Sequence, residues 1–370
     1  MRIRNKANYI TGFLLVAVLL LGTIPTYAAA SDVPKNIILF IGDGMGVSHI
    51  TAAKIVNGHL NMERFRVVGL LTTHSQTDLV TDSAAAGTAL ATGFKTFKGA
   101  ISVSQDKKPL KTAVEYAEEM HKSTGLVVSC SITHATPAAF VAHVDSRKKN
   151  TLIAEQIAES GVDVLFGGGL GFFLPESTAG SRRNDEKNLL AELKNRMPVV
   201  QSENEFQTLG KVDSAAGLFA MVHPPKATER KPSLCELTRK AIDILSGNEN
   251  GFFLMVEGSQ IDWAGHQNNP EFIISETIDF DNAVGIGLDF AKKDPQTLVI
   301  VTADHETGGF ALHDGSINDR KVSESGFTSD YHTGAMVPVF AQGPGSAAFA
   351  GIGDNTGVGR TIIRYLQESD

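Results

Sequence analysis

The chain has 370 residues, 42% of them hydrophobic and 20% charged, with a formal net charge of −8. That composition is ordinary for a globular protein and leaves no case for disorder. The acidic balance argues against nucleic acid or an anionic membrane as the main partner, and any site for a phosphate anion must build its own local positive field, as metal ions would.

In chain order, Arg2, Arg4 and Lys6 precede an apolar run from about Ile10 to Leu21, followed by Tyr27-Ala28-Ala29-Ala30. A basic segment, a short apolar core and an A-x-A ending predict a secretory signal peptide over residues 1–30. An uncleaved anchor is the alternative, although the run is shorter than the ~20 residues that span a bilayer. No cysteine lies near the cleavage site and no second long apolar stretch follows. The length could hold two domains, but one large domain over residues 31–370 fits equally well; the mature protein is expected to be soluble, periplasmic or secreted, without stable membrane association. Loss of the leader removes three positive charges and no negative one, which moves the net charge from −8 to −11.

Short runs rich in Val, Ile, Leu and Phe then recur, each ending in or near Gly, Asp, Ser or Glu. They are Asn36–Ile41, Val67–Leu71, Gly125–Cys130, Val162–Phe166, Phe252–Val256, Leu298–Thr302 and Val337–Ala341, and they read as strands buried on both faces. Helical stretches lie at about Leu110–His121, Thr151–Ser160, Asp185–Asn195, Leu234–Leu245, Pro270–Ala291 and Thr356–Gln367. The alternation predicts an α/β fold with a largely parallel central sheet and helices on both faces. Ligands of such folds bind at the carboxyl ends of the strands. The polar stretch Gly309–Tyr331 reads as a surface excursion. Cys130 and Cys235 carry no disulfide framework, and two buried free thiols are expected.

The strand ends carry the chemistry. Asp43 sits between Gly42 and Gly44, which leave room beside its carboxylate. In Val80-Thr81-Asp82-Ser83-Ala84-Ala85, Ser83 opens an Ala-rich helical stretch, and local sequence leaves it open between a helix cap and a nucleophile. His134-Ala135-Thr136-Pro137 leads on to Arg147, whose fork of donors suits phosphate oxygens but also fits a solvated charge. Glu257 ends a strand, and Asp262 and His266, four residues apart, share one face of a helical turn. Asp304-His305 follows another strand, where burial without a partner would be costly. His332 stands in a loop. Ligands of the Asp, Glu and His types without thiolate pairs suit catalytic zinc, with a harder oxygen-rich site for magnesium.

Taken together, Ile41-Gly42-Asp43-Gly44-Met45-Gly46, Thr81-Asp82-Ser83-Ala84-Ala85, Ala135-Thr136-Pro137-Ala138-Ala139, Val256-Glu257-Gly258, Thr302-Ala303-Asp304-His305 and His332-Thr333-Gly334 resemble the site motifs of the alkaline phosphatase family, in that family's order. The resemblance covers about Lys35 to Gly343. It implies hydrolysis of phosphate monoesters at alkaline pH through a phosphoserine on Ser83, with Arg147 holding the phosphate and Asp82 steadying Arg147. One zinc ion would use Asp262, His266 and His332, and a second Asp43, Asp304 and His305. A third ion, usually magnesium, would use Asp43, Thr136 and Glu257. It also implies a homodimer. Two departures stand out. The Gly309–Tyr331 segment is compact where many members carry a larger insertion. His134 and Trp263 occupy positions that hold Asp and Lys in the best-known bacterial members, which opens the third site to another divalent ion.

Within enzymes, the alternatives are a diesterase or sulfatase relative. The Ala84-Ala85-Ala86 that follows Ser83 disfavours sulfatase chemistry. From another class, a non-catalytic phosphate- or zinc-binding envelope protein would need neither Ser83 nor Arg147.

Overall fold

Each predicted apolar run forms a strand in the computed structural model, which describes residues 33–368; the predicted signal peptide lies outside them. The strands are β1 (Asn36–Gly42), β2 (Val67–Thr72), β3 (Ser123–Ser131), β4 (Val164–Gly168), β5 (Val199–Val200), β6 (Ala215–Leu218), β7 (Phe252–Gly258), β8 (Thr297–Thr302), β9 (Glu306–Thr307), β10 (Ala311–Ser316), β11 (Lys321–Gly326), β12 (His332–Thr333), β13 (Val337–Gln342) and β14 (Gly351–Asp354). Ten of them make one sheet in the order β14-β2-β13-β8-β1-β7-β3-β4-β6-β5. Only β13 runs antiparallel to its neighbours; the remaining pairings are parallel.

Helices cover both faces, as the alternation of side chains along β7 shows. Phe252 packs against Phe290 of the helix Pro270–Lys293, while Phe253 stacks on Phe140, just past the short helix Ala135–Ala138, on the opposite side. Every residue of β1, β7 and β8 is buried. Each large apolar side chain there contributes on the order of 2 kcal/mol by leaving water. This makes the centre of the sheet the most rigid platform available for a site.

Several elements carry no apolar periodicity and were not predicted. The helix Val47–Asn57 buries His49, Ala52 and Ala53, small or polar residues at helical spacing. β6 is Ala-Ala-Gly-Leu and β14 is Gly-Ile-Gly-Asp. The Gly309–Tyr331 excursion contains the antiparallel hairpin β10–β11. Phe310 and Phe327 stack at its base, and Phe310 also meets His49 edge to face. Both cysteines are free, Cys130 buried and Cys235 only half-buried. Among the described residues no helix is long and apolar enough to cross a membrane.

Candidate active site and metal centre

Strand register brings the acids together. Ile41 of β1 is level with Glu257 of β7 on one side and with Thr302 of β8 on the other. Asp43 and Asp304 each lie two residues further on, at the same edge of adjacent parallel strands, and both are fully buried. The turn after Asp43 depends on Gly44, which has φ +72° and whose N–H donates to Asp304 Oδ1 at 3.0 Å. A Cβ at this position would stand 2.6 Å from Thr307 Oγ1 and 2.8 Å from Asp262 Cα. Gly44→Ala is therefore expected to cost about 2–4 kcal/mol, from left-handed strain plus the clash; denaturant unfolding will measure it.

The helix Gln260–His266 follows β7 and carries Asp262 and His266. His332 reaches the site through a two-residue pairing, in which β12 sets His332 opposite Thr307 of β9. Asp262 Oδ1 is 3.4 Å from His266 Nε2 and 3.5 Å from His332 Nε2. Two sets result, Asp262-His266-His332 and Asp43-Asp304-His305. Within each set one ligand atom per residue lies within 4.8 Å of the others.

All three imidazoles are held through Nδ1. His266 Nδ1 donates to the Asp330 carbonyl at 2.7 Å and His332 Nδ1 to the Thr81 carbonyl at 2.9 Å. The Thr307 hydroxyl donates to Asp262 Oδ1 at 2.5 Å, so at 3.2 Å it accepts from His305 Nδ1. These bonds leave each Nε2 with a free lone pair facing the carboxylates, the arrangement that orients metal-ligating histidines. Burial, followed by the neighbouring His332, holds His305 well below the usual imidazole range and hence neutral.

The carboxylates are not neutralised by the protein. Burial, then the charges of Asp304, Asp262 and Glu257, pushes Asp43 well above the usual range. Burial pushes Glu257 up to about 7 and Asp304 up to about 6. Burial acts against Asp262 as well, but His332 facing it at 3.5 Å and the nearby His305 and His266 take it below the usual range. Both oxygens of Asp43, Asp304 Oδ2, Glu257 Oε1, Thr136 Oγ1 and His134 Nδ1 are buried with no well-formed hydrogen bond among the described residues. Buried polar atoms are normally paired, and acids and neutral imidazoles around unpaired oxygens form a donor set for divalent cations.

Beside this cluster the helix Ser83–Thr92 begins. Its cap is Asp82, which accepts from the Ala85 N–H at 3.1 Å, so Ser83 is the first helical residue and not the cap. Ser83 Oγ lies 3.4 Å from His305 Nε2 and 3.5 Å from Arg147. Arg147 donates to Asp82 Oδ2 at 3.1 Å, so it is anchored rather than solvated, and its other terminal nitrogen donates to His134 Nε2 at 3.2 Å. The rings of His134 and Trp263 meet edge to face at 6.1 Å, a packing contact. Next to them a third set gathers Cys130, His134 and Glu257.

Comparison with known proteins decides the family. A family model described as Alkaline phosphatase matches residues 34–319. The chain belongs to the alkaline phosphatase family. Alkaline phosphatase 4 of Bacillus subtilis (strain 168) is 35% identical over 418 residues, covering 90% of this chain and 89% of that protein. The alkaline phosphatase of Escherichia coli (strain K12) is 35% identical over 411 residues, covering 91% and 87%. Among solved structures, the alkaline phosphatase from the Antarctic bacterium TAB5 superposes with a TM-score of 0.82 at 39% identity, covering 91% of this chain and 99% of that one. A variant of the TAB5 alkaline phosphatase with a histidine replaced by aspartate has magnesium bound in its M3 site.

Sequence reasoning did not find the residues that hold the ligands in place. Thr307 links Asp262 to His305, while the Thr81 and Asp330 carbonyls orient His332 and His266. Ser259 Oγ donates to Glu257 Oε2 at 2.6 Å. His223 packs on Trp263 at 4.7 Å. Thr81 opens the Ser83 motif and Thr307 follows Asp304-His305, so both could have been read as supports; His223 had no signal.

Proposed function

We propose that this alkaline phosphatase hydrolyses phosphate monoesters through a phosphoserine on Ser83, with two zinc ions and a third divalent ion, magnesium or another. The carrying observation is that Ser83 Oγ, the Arg147 fork and two acid–imidazole sets meet at one edge of the central sheet. Asp262, His266 and His332 would hold one zinc, and Asp43, Asp304 and His305 the other. Asp43, Thr136 and Glu257 would hold the third ion. Bound ions supply positive charge for the phosphoryl oxygens and lower the pKa of hydroxyls they touch.

Ser83 Oγ attacks phosphorus; the Oγ–P bond forms as the bond to the ester oxygen breaks, and the departing alcohol takes up the serine proton. Water then attacks the phosphoserine, releasing inorganic phosphate and restoring the hydroxyl. Arg147 spans two phosphoryl oxygens with its terminal nitrogens, and its bond to Asp82 fixes the fork. At the third site, the neutral imidazole of His134 is a poorer acceptor than a carboxylate for the waters that magnesium keeps. Burial, with Arg147 and His223 beside it, takes His134 down to about 3. The magnesium-bearing aspartate variant of the TAB5 enzyme supports this reading, with His134 taken as the counterpart of the replaced histidine. The third site is then weaker for magnesium and open to zinc or cobalt.

Export to the periplasm or medium belongs to the same reading, supported by the basic, apolar and small-residue pattern of residues 1–30. So does a homodimer, which is usual in the family. Turnover of p-nitrophenyl phosphate should rise toward alkaline pH, and quenching with acid should trap phosphate on Ser83. Phosphate mapped to any other residue excludes the intermediate.

A further inference from the structure

The third set contains a donor that the reading above does not use. Cys130 lies in β3, fully buried, with its thiol directed to the Ser131 carbonyl at 3.2 Å and to Glu257 Oε2 at 3.5 Å. Cys130 Sγ, a nitrogen of His134 and an oxygen of Glu257 all lie within 4.8 Å of one another. A buried thiol alone is ordinary core behaviour. Here, however, the fully buried side chains of Glu257 and Thr136 approach each other while Glu257 Oε1 and Thr136 Oγ1 have no well-formed hydrogen bond, and among the described residues His134 Nδ1 is buried and unpaired. The pocket is a mixed sulfur, nitrogen and oxygen donor set. Magnesium takes hard oxygen ligands, whereas zinc and cobalt accept thiolate and imidazole readily.

We propose that Cys130 ligates the third ion through its thiolate and makes the site selective for zinc or cobalt over magnesium. This rests on the reading of Glu257 as a ligand of that ion. Binding exchanges one proton for the metal, because the Cys130 S–H bond breaks, the S–metal bond forms and the proton leaves to solvent. Coordination by His134 Nδ1 places the remaining imidazole proton on Nε2, which now accepts from Arg147 at 3.2 Å. Filling the site therefore releases Arg147 from His134 and leaves that nitrogen for phosphate.

The test uses the Cys235→Ser protein, in which Cys130 is the sole thiol, loaded with cobalt(II). A sulfur-to-cobalt charge-transfer band in the near ultraviolet is expected, and it should vanish in Cys130→Ser. That variant should retain the other two ions, while its preference for cobalt over magnesium at the third site falls roughly tenfold or more, as for loss of a metal-site contact. A cobalt protein without the band, or one that keeps it in Cys130→Ser, overturns the proposal. The first of these readouts needs no change at Cys130, so it holds even where the variant does not fold. A separate arm measures the ion count in Glu257→Gln. A count equal to that of the unsubstituted protein overturns the third-site reading itself, whereas a lower count beside an absent band overturns only the role of Cys130.

Discussion

Replacing Ser83 with alanine is expected to lower kcat roughly 10³-fold or more, since the covalent route loses its nucleophile. Stability should barely move. Ser83 Oγ makes only two long contacts, of 3.4 and 3.5 Å, and the helix it opens is capped by Asp82. Alanine is the best helix former, and a change without a cavity or an orphaned group stays within about 0.5 kcal/mol. Zinc content should also be unchanged, because the grouped ligand atoms belong to other residues. Steady-state kinetics, elemental analysis and a melting curve on one preparation will separate the effects. Retention of more than about a tenth of turnover would remove Ser83 from the chemistry, since loss of a covalent nucleophile costs far more.

Removing the ions with a chelator is expected to abolish turnover, and added zinc to restore it. The melting temperature should fall as well. An ion bound only by the folded chain stabilises it by roughly 4 kcal/mol at ~1,000 times its dissociation constant. For a chain of this size that corresponds to a shift on the order of 5 °C or more for each such ion. The pH dependence has a definite sign. Without ions, Glu257 is carried up to about 7 and Asp304 up to about 6 by burial. A raised carboxyl favours the fold below its unfolded value and loses that contribution as pH rises through the folded one. The ion-free protein is thus penalised most above neutrality, where the ions help most. The metal-dependent gain in melting temperature should shrink as pH falls from about 8 to about 5, because protons and metal compete for the same oxygens. A gain that widens on acidification contradicts this account of the cluster. Full turnover in protein shown to be metal-free contradicts the metal mechanism.

Most strands were legible because burial on both faces fills them with apolar residues; β2 is the exception, half-exposed with Val68 on the surface, and was legible only from its apolar run. The helix Leu234–Leu245 was legible because its apolar stripe repeats at helical spacing. What stayed hidden had no such pattern. The helix Val47–Asn57 packs on small residues, and the short strands β6 and β14 are built of alanine and glycine, where close backbone approach replaces side-chain burial.

The chemical inventory could be read along the chain: acids and imidazoles at strand ends, a serine opening a helix, and an arginine downstream of Thr136. Tertiary structure decided which of these meet. Sheet order sets β8, β1 and β7 side by side, so Asp304, Asp43 and Glu257, far apart in the chain, emerge at one edge. Chain spacing carries no information about that order, because non-local strand pairing is fixed by packing of the whole sheet. His332 read as a lone loop residue until a two-residue pairing with β9 brought it to Asp262. Arg147, followed by Lys148 and Lys149, read more readily as a solvated charge until Asp82 anchored it. Cys130 read as a core thiol. Only the fold turns it toward Glu257, because what a buried group faces is set by neighbours from distant parts of the chain.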